Sequence, residues 1–163
     1  MRRLSEIILT ILACLGTPAS GAAAQTAKDM VGTWSLVSDV NTSADGRKVE
    51  PFGPSPRGIA IFDSDGHFAI VLSRPDLPKF ASNNRMQGTP EENRAIVQGS
   101  IGFFGSYSLT DGAVIQHVEG GTWPSWIGTD QKRTIASFAN NQQTWTSTAS
   151  FGGTSELRWR RVK

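Results

Sequence analysis

Apolar and polar residues alternate with a period of two along most of the chain, the signature of strands with one buried face. In Val31 to Val40 (VGTWSLVSDV), Trp34 and Leu36 share one face and Thr33, Ser35 and Val37 the other. Gly58 to Phe62 and His67 to Ser73 flank Asp63-Ser64-Asp65-Gly66, and the Asp-Gly pair predicts a tight hairpin. Ile101 to Thr110 and Ala113 to Glu119 flank a second Asp-Gly pair at Asp111-Gly112. Gln131 to Ala139 and Gln143 to Phe151 flank Asn140-Asn141, and Gly152-Gly153 leads into Thr154 to Val162. Eight runs joined by short turns predict antiparallel pairing. Closure of eight such strands into an up-and-down barrel removes the exposed sheet edges, with a β-sandwich as the alternative.

Two stretches break the pattern. Arg74 to Gln87 carries two prolines and two adjacent asparagines and reads as a loop. Thr89-Pro90-Glu91-Glu92 then supplies an N-cap, a first-turn proline and acids at the positive end of the dipole, predicting a short helix over 90–98. Gly120 to Asp130 (GGTWPSWIGTD) is the other irregular stretch. No internal repeat and no interdomain linker is visible.

The first 24 residues read as an export segment, leaving 25–163 as the barrel domain. Arg2 and Arg3 precede the short apolar run Ile7 to Leu15, and Ala22-Ala23-Ala24 offers a small-residue cleavage site. The run is too short to span a bilayer as a helix. A competing reading takes Ile11-Leu12-Ala13-Cys14 as a lipoprotein box anchored through Cys14. Cleavage after Ala24 is preferred, and a periplasmic or secreted location follows from it.

This cleavage changes the chemical inventory. The 163-residue chain has Lys+Arg 16, Asp+Glu 14, one Cys and two His. Loss of Arg2, Arg3, Glu6 and Cys14 leaves 14 basic and 13 acidic residues, a net +1, with no thiol. Near-neutrality gives no polyanion footprint, so no nucleic-acid partner is expected. One cysteine excludes a disulfide framework, and two histidines exclude a three-histidine metal site. No cofactor and no metal are expected. The remaining tools are His117, the carboxylates, Arg74 and the aromatics.

Gly32-Thr33-Trp34 opens the first strand as the Gly-x-Trp signature of lipocalins does, and the last strand ends Leu157-Arg158-Trp159-Arg160-Arg161. Further segments follow in order: Pro51-Phe52-Gly53-Pro54, Arg74-Pro75-Asp76, Lys79-Phe80-Ala81-Ser82, Gly88-Thr89-Pro90-Glu91-Glu92-Asn93, His117-Val118-Glu119-Gly120 and Trp126-Ile127-Gly128-Thr129-Asp130-Gln131. Together they resemble the bacterial and fungal lipocalin-like domain proteins over about Met30 to Lys163. The resemblance implies an all-β, eight-stranded antiparallel lipocalin-like barrel with an Arg packed over the Trp. It implies little about chemistry.

The candidate ligand-binding residues are Arg74, Tyr107, His117, Glu119, Trp123 and Trp126. If Ile115 faces inward, His117 and Glu119 do too, and a His beside a carboxylate can move protons or bind a polar head. Arg74 continues the face of Phe68, Ile70 and Leu72, where it can bind a carboxylate or pair with Asp76. Tyr107 shares a face with Ile101, Phe103 and Leu109, placing it in the core with its hydroxyl on one partner. Trp123 and Trp126 can wall the barrel mouth. Trp145 and Trp159 read as core. The Asp63-Ser64-Asp65-Gly66 run lacks the remaining calcium ligands and is a turn. The expected function is an exported monomer binding a small hydrophobic or amphipathic molecule. The alternatives are a cofactor-independent isomerase, cyclase or hydratase acting on a lipophilic substrate in the same cavity, and a structural envelope protein with a filled barrel.

Overall fold

The computed structural model describes residues 26–149 and 152–163. The export segment at 1–24, the alternative anchor at Cys14 and the end of the strand expected to reach Phe151 lie outside the described residues. None of the described helices is long and apolar enough to cross a membrane.

A short helix α1 (Ala27–Met30) leads into β1 (Gly32–Thr42), and β2 (Lys48–Val49) follows. The chain continues through β3 (Arg57–Phe62), β4 (His67–Ser73), α2 (Pro90–Gly99), β5 (Ser100–Thr110) and β6 (Ala113–Gly121). After one 3-10 turn at Pro124–Trp126 come β7 (Asp130–Ala139), β8 (Gln142–Thr148) and β9 (Thr154–Arg161). The sheet runs β2-β1-β3-β4-β5-β6-β7-β8-β9, and β1 also pairs with β9. Every pairing is antiparallel. Eight strands therefore close a barrel, and β2 is a two-residue addition on the end of β1 that the sequence pattern does not announce.

The local predictions hold where turn chemistry is explicit. Asp111 and Gly112 both take positive φ, as do Asn140 and Asn141, which matches the twist of a two-residue hairpin. Helix α2 starts at the expected cap: the Glu92 amide donates to Thr89 Oγ1 at 3.2 Å, and the Thr89 amide donates to Glu92 Oε2 at 2.8 Å.

The two barrel ends differ. The tight turns at 63–66, 111–112 and 140–141 lie at one end with α1, while the longer connections and α2 lie at the other. The first end is plugged. Trp34 is fully buried and its Nε1 donates to the Met30 carbonyl at 2.9 Å. Of the basic residues ending the last strand, Arg161 provides the stacking contact, with its Cζ 4.2 Å from the centroid of the Trp34 ring. Its guanidinium also donates to the carbonyls of Val31, at 2.6 Å, and Asp29. Gly32 makes room for it. Its φ is +128°, and a Cβ there would stand 2.7 Å from Arg161 Nη1. Phe62 adds edge contacts to Tyr107 and Trp145, and Trp145 leans on Trp159, extending the plug into an aromatic core.

Three bulges adjust the barrel, between Leu36 and Ser38, Phe104 and Gly105, and Ile135 and Ser137. The first has the largest effect on the interior. Trp34 and Leu36 point inward before it, and Asp39 and Asn41 are the buried positions after it.

Arg161→Ala removes two charge-assisted hydrogen bonds and a cation–π contact, and is expected to cost roughly 2–4 kcal/mol in urea unfolding. Gly32→Ala, which strains the backbone and displaces the same guanidinium, is expected to destabilise the protein by a similar amount. An Arg161→Ala midpoint equal to wild type would show that the plug does not hold this end closed.

Candidate functional site

The open end of the barrel leads into a cavity of about 460 Å³. Its apolar wall is formed by Ile70, Leu72, Phe103, Trp145, Leu157 and Trp159 from the strands. Phe52 from the β2–β3 connection, Val97 near the end of α2 and the Trp123–Trp126 loop form the mouth. Trp126 is fixed there by an edge contact with Phe103, ring centroids 5.2 Å apart.

A polar group of side chains enters this apolar space. Asp39 and Asn41 come from β1, Gln116 from β6, Gln131 and Arg133 from β7, and Ser155 from β9. On β6 the inward face is Val114, Gln116 and Val118, all fully buried. Gln116 sits directly across from Gln131, and Val114 across from Arg133, so Gln116 and Arg133 are diagonal neighbours. Asp39 receives a long 3.4 Å hydrogen bond from the Ser155 hydroxyl. Burial pushes the Asp39 carboxyl up to about 6, although the Ser155 hydroxyl and the Arg133 charge act the other way. Burial likewise draws the Arg133 guanidinium down to about 10, opposed by Asp39. Arg133 is held by the Trp126 ring, with its Cζ 5.5 Å from the centroid.

Several buried polar atoms have no protein partner among the described residues. They are Asn41 Oδ1, both amide atoms of Gln116, Gln143 Nε2 and Trp159 Nε1. Asn41, Gln116 and Trp159 line the cavity. A buried polar group without a partner costs about 1–3 kcal/mol, so the cavity wall carries bonding capacity that the fold leaves unused.

Of the six candidates from the sequence, Trp123 and Trp126 reach the cavity and the other four do not. His117 and Glu119 are exposed on the outer face of β6, because the inward parity belongs to the two valines rather than to Ile115. His117 Nδ1 lies 2.8 Å from Asp130 Oδ1 on the neighbouring strand, forming an outer-surface pair. Arg74 falls one residue beyond β4, is exposed and pairs with Asp76 at 3.5 Å. Tyr107 packs at the plugged end as a core residue, its hydroxyl donating to the Asp63 carbonyl at 2.9 Å. The sequence reading missed Asp39, Asn41, Gln116, Gln131 and Arg133. The alternation Val114-Gln116-Val118 would have found Gln116, whereas the β1 bulge hid Asp39, and Asn41 lies past the expected end of the first strand at Val40.

The raised Asp39 pKa has a definite effect on stability. The fold prefers the protonated form, so the contribution of Asp39 is most favourable below its ordinary value of 3.8 and declines as pH rises through about 6. Asp39→Asn is expected to raise stability at pH 7 by roughly 1–3 kcal/mol, with the gap to wild type closing near pH 4. Paired denaturant titrations at both pH values test this, and a gap independent of pH would remove the desolvation argument.

A lipocalin-like domain model matches residues 31–162. No curated protein matches the chain. Among solved structures, a redesigned β-barrel is 16% identical with a TM-score of 0.44, covering 86% of this chain and 98% of its own. The redesigned β-barrel mFAP1 bound to DFHBI is 23% identical with a TM-score of 0.41, covering 83% and 98%. A mutant of the fluorescent protein UnaG is 11% identical with a TM-score of 0.39, covering 83% and 97%. The family match extends from the start of β1 past the end of β9, across both the plug and the cavity, and the chain belongs to the lipocalin-like domain family.

Proposed function

We propose that the protein is an exported, monomeric carrier that holds one small amphipathic organic molecule inside its barrel. The observation that carries this reading is Gln116, fully buried on the cavity wall with both amide atoms unpartnered. In a filled barrel such an amide would be replaced by packing or satisfied by a neighbour. The cavity volume of about 460 Å³ lies within the range of small-molecule sites. Its aromatic and aliphatic walls supply affinity by burial, and the polar group supplies orientation. Catalysis through His117 and Glu119 loses its structural motive, since neither lines the cavity.

The reading predicts that a fluorescent hydrophobic probe binds at one site per chain and quenches the emission of the cavity tryptophans. Ser147→Trp, which places bulk on the cavity wall, is expected to weaken binding about tenfold or more while the protein stays folded. Equal binding by the filled variant would move the ligand off the barrel interior. Export predicts that the protein recovered from its native cells begins at Gln25. Mass spectrometry of the N-terminus checks this, and a lipid-modified Cys14 would replace soluble export with anchoring.

A further inference from the structure

Asp39 and Arg133 are the only charged side chains lining the cavity among the described residues. They are not within ion-pair distance of each other, since the salt bridges of the described residues include neither. Asp39 has the Ser155 hydroxyl as its hydrogen-bond donor. Arg133 has the Trp126 face and no side-chain acceptor among the described residues. The two charges also differ in how they can be neutralised. A buried carboxyl sheds its charge by taking a proton at a pH close to neutral, whereas a guanidinium stays charged at any physiological pH. Below about pH 6 the interior charge is therefore positive, and above it Asp39 opposes Arg133. A desolvated cation facing an apolar cavity is stabilised most by an anion placed against it.

We propose that the cavity selects a monocarboxylate amphiphile whose carboxylate is received by Arg133 with the Gln116 amide beside it, while Asp39 acts as the competing anion that sets the strength of that preference. This inference rests on the carrier reading above. The strand register makes the pairing reachable, because Gln116 and Arg133 project inward from adjacent strands as diagonal neighbours. Both donate: the guanidinium offers a planar fork of N–H groups, and Gln116 Nε2 adds an unused N–H. Gln116 Oε1 remains available to a donor on the same ligand. The apolar body then extends along Phe103, Leu72 and Ile70, and Trp123 and Trp126 border the exit. Asp39 belongs to β1, which β8 and β9 separate from β7 around the barrel. Its negative charge partly compensates Arg133 when the cavity holds no anion and repels a carboxylate that arrives.

The test uses cis-parinaric acid and its methyl ester, followed by energy transfer from the cavity tryptophans to the full-length protein's bound probe at about pH 7.5. Wild type is expected to bind the acid about tenfold or more tightly than the ester. Arg133→Gln is expected to bring that ratio towards one, with its circular dichroism spectrum and urea midpoint reporting that the variant is folded. Asp39→Asn is expected to act in the opposite direction, strengthening acid binding and raising the acid-to-ester ratio. An acid-to-ester ratio near one in wild type overturns the proposal, as does a ratio that Arg133→Gln leaves intact. Should Arg133→Gln fail to fold, weakened acid binding in Asp39→Asn overturns it alone. Ester binding without acid preference rejects the carboxylate and leaves the carrier reading standing, whereas binding of neither probe rejects both.

Discussion

The pairing of β1 with β9 is the constraint on which the rest depends. Without it the sheet has two free edges and no interior, and with it β1 and β9 pair antiparallel from Trp34–Arg161 to Thr42–Thr154, interrupted by one bulge. The seam is reinforced from inside by Trp34 and from the end by Arg161, which contacts the ring and two carbonyls preceding β1. The side chain that seals the barrel thus comes from the last strand and binds the entry to the first. These contacts join residues about 130 apart in sequence and so raise the contact order of the fold.

Closure at one end leaves the other free to be irregular. The plugged end uses short hairpins and aromatic edge contacts; Trp34 Nε1 and the Tyr107 hydroxyl are paired there, while Gln143 Nε2, just past the Asn140-Asn141 turn, is buried without a partner among the described residues. The open end uses long connections, α2 and the Trp123–Trp126 loop, and the unpaired polar atoms of Asn41, Gln116 and Trp159 line the cavity behind it. The aromatic core near the plug offsets the cost of the polar wall, and that wall is where a ligand can recover part of the cost.

Much of the architecture was legible in the sequence, because turns and caps act through short-range chemistry. Asp111-Gly112, Asn140-Asn141 and Thr89-Pro90 specify their own backbone conformations. The barrel, the plug and the mouth tryptophans followed from alternation and from the lipocalin-like resemblance. Most of the cavity's polar wall did not. Which face of β6 turns inward is a collective decision of the barrel, and choosing Ile115 over Val114 and Val118 reversed His117 and Gln116 together. Arg74 was displaced by the end of β4, one residue short of the expected face. A bulge leaves no plain local signal, so Asp39 carries the wrong parity when Val31 to Val40 is read as one uninterrupted alternation, and Asn41 falls in β1 rather than in the turn expected after Val40.

That bulge makes β1 two short strands with independent assignments. Its first half serves the plug, and its second half serves the cavity. The register shift between Leu36 and Ser38 lies between Trp34, which packs against Arg161, and the buried side chains at 39 and 41. The fold is therefore modular along a single strand. The cavity lining and the fastening of the barrel thus occupy different parts of one strand.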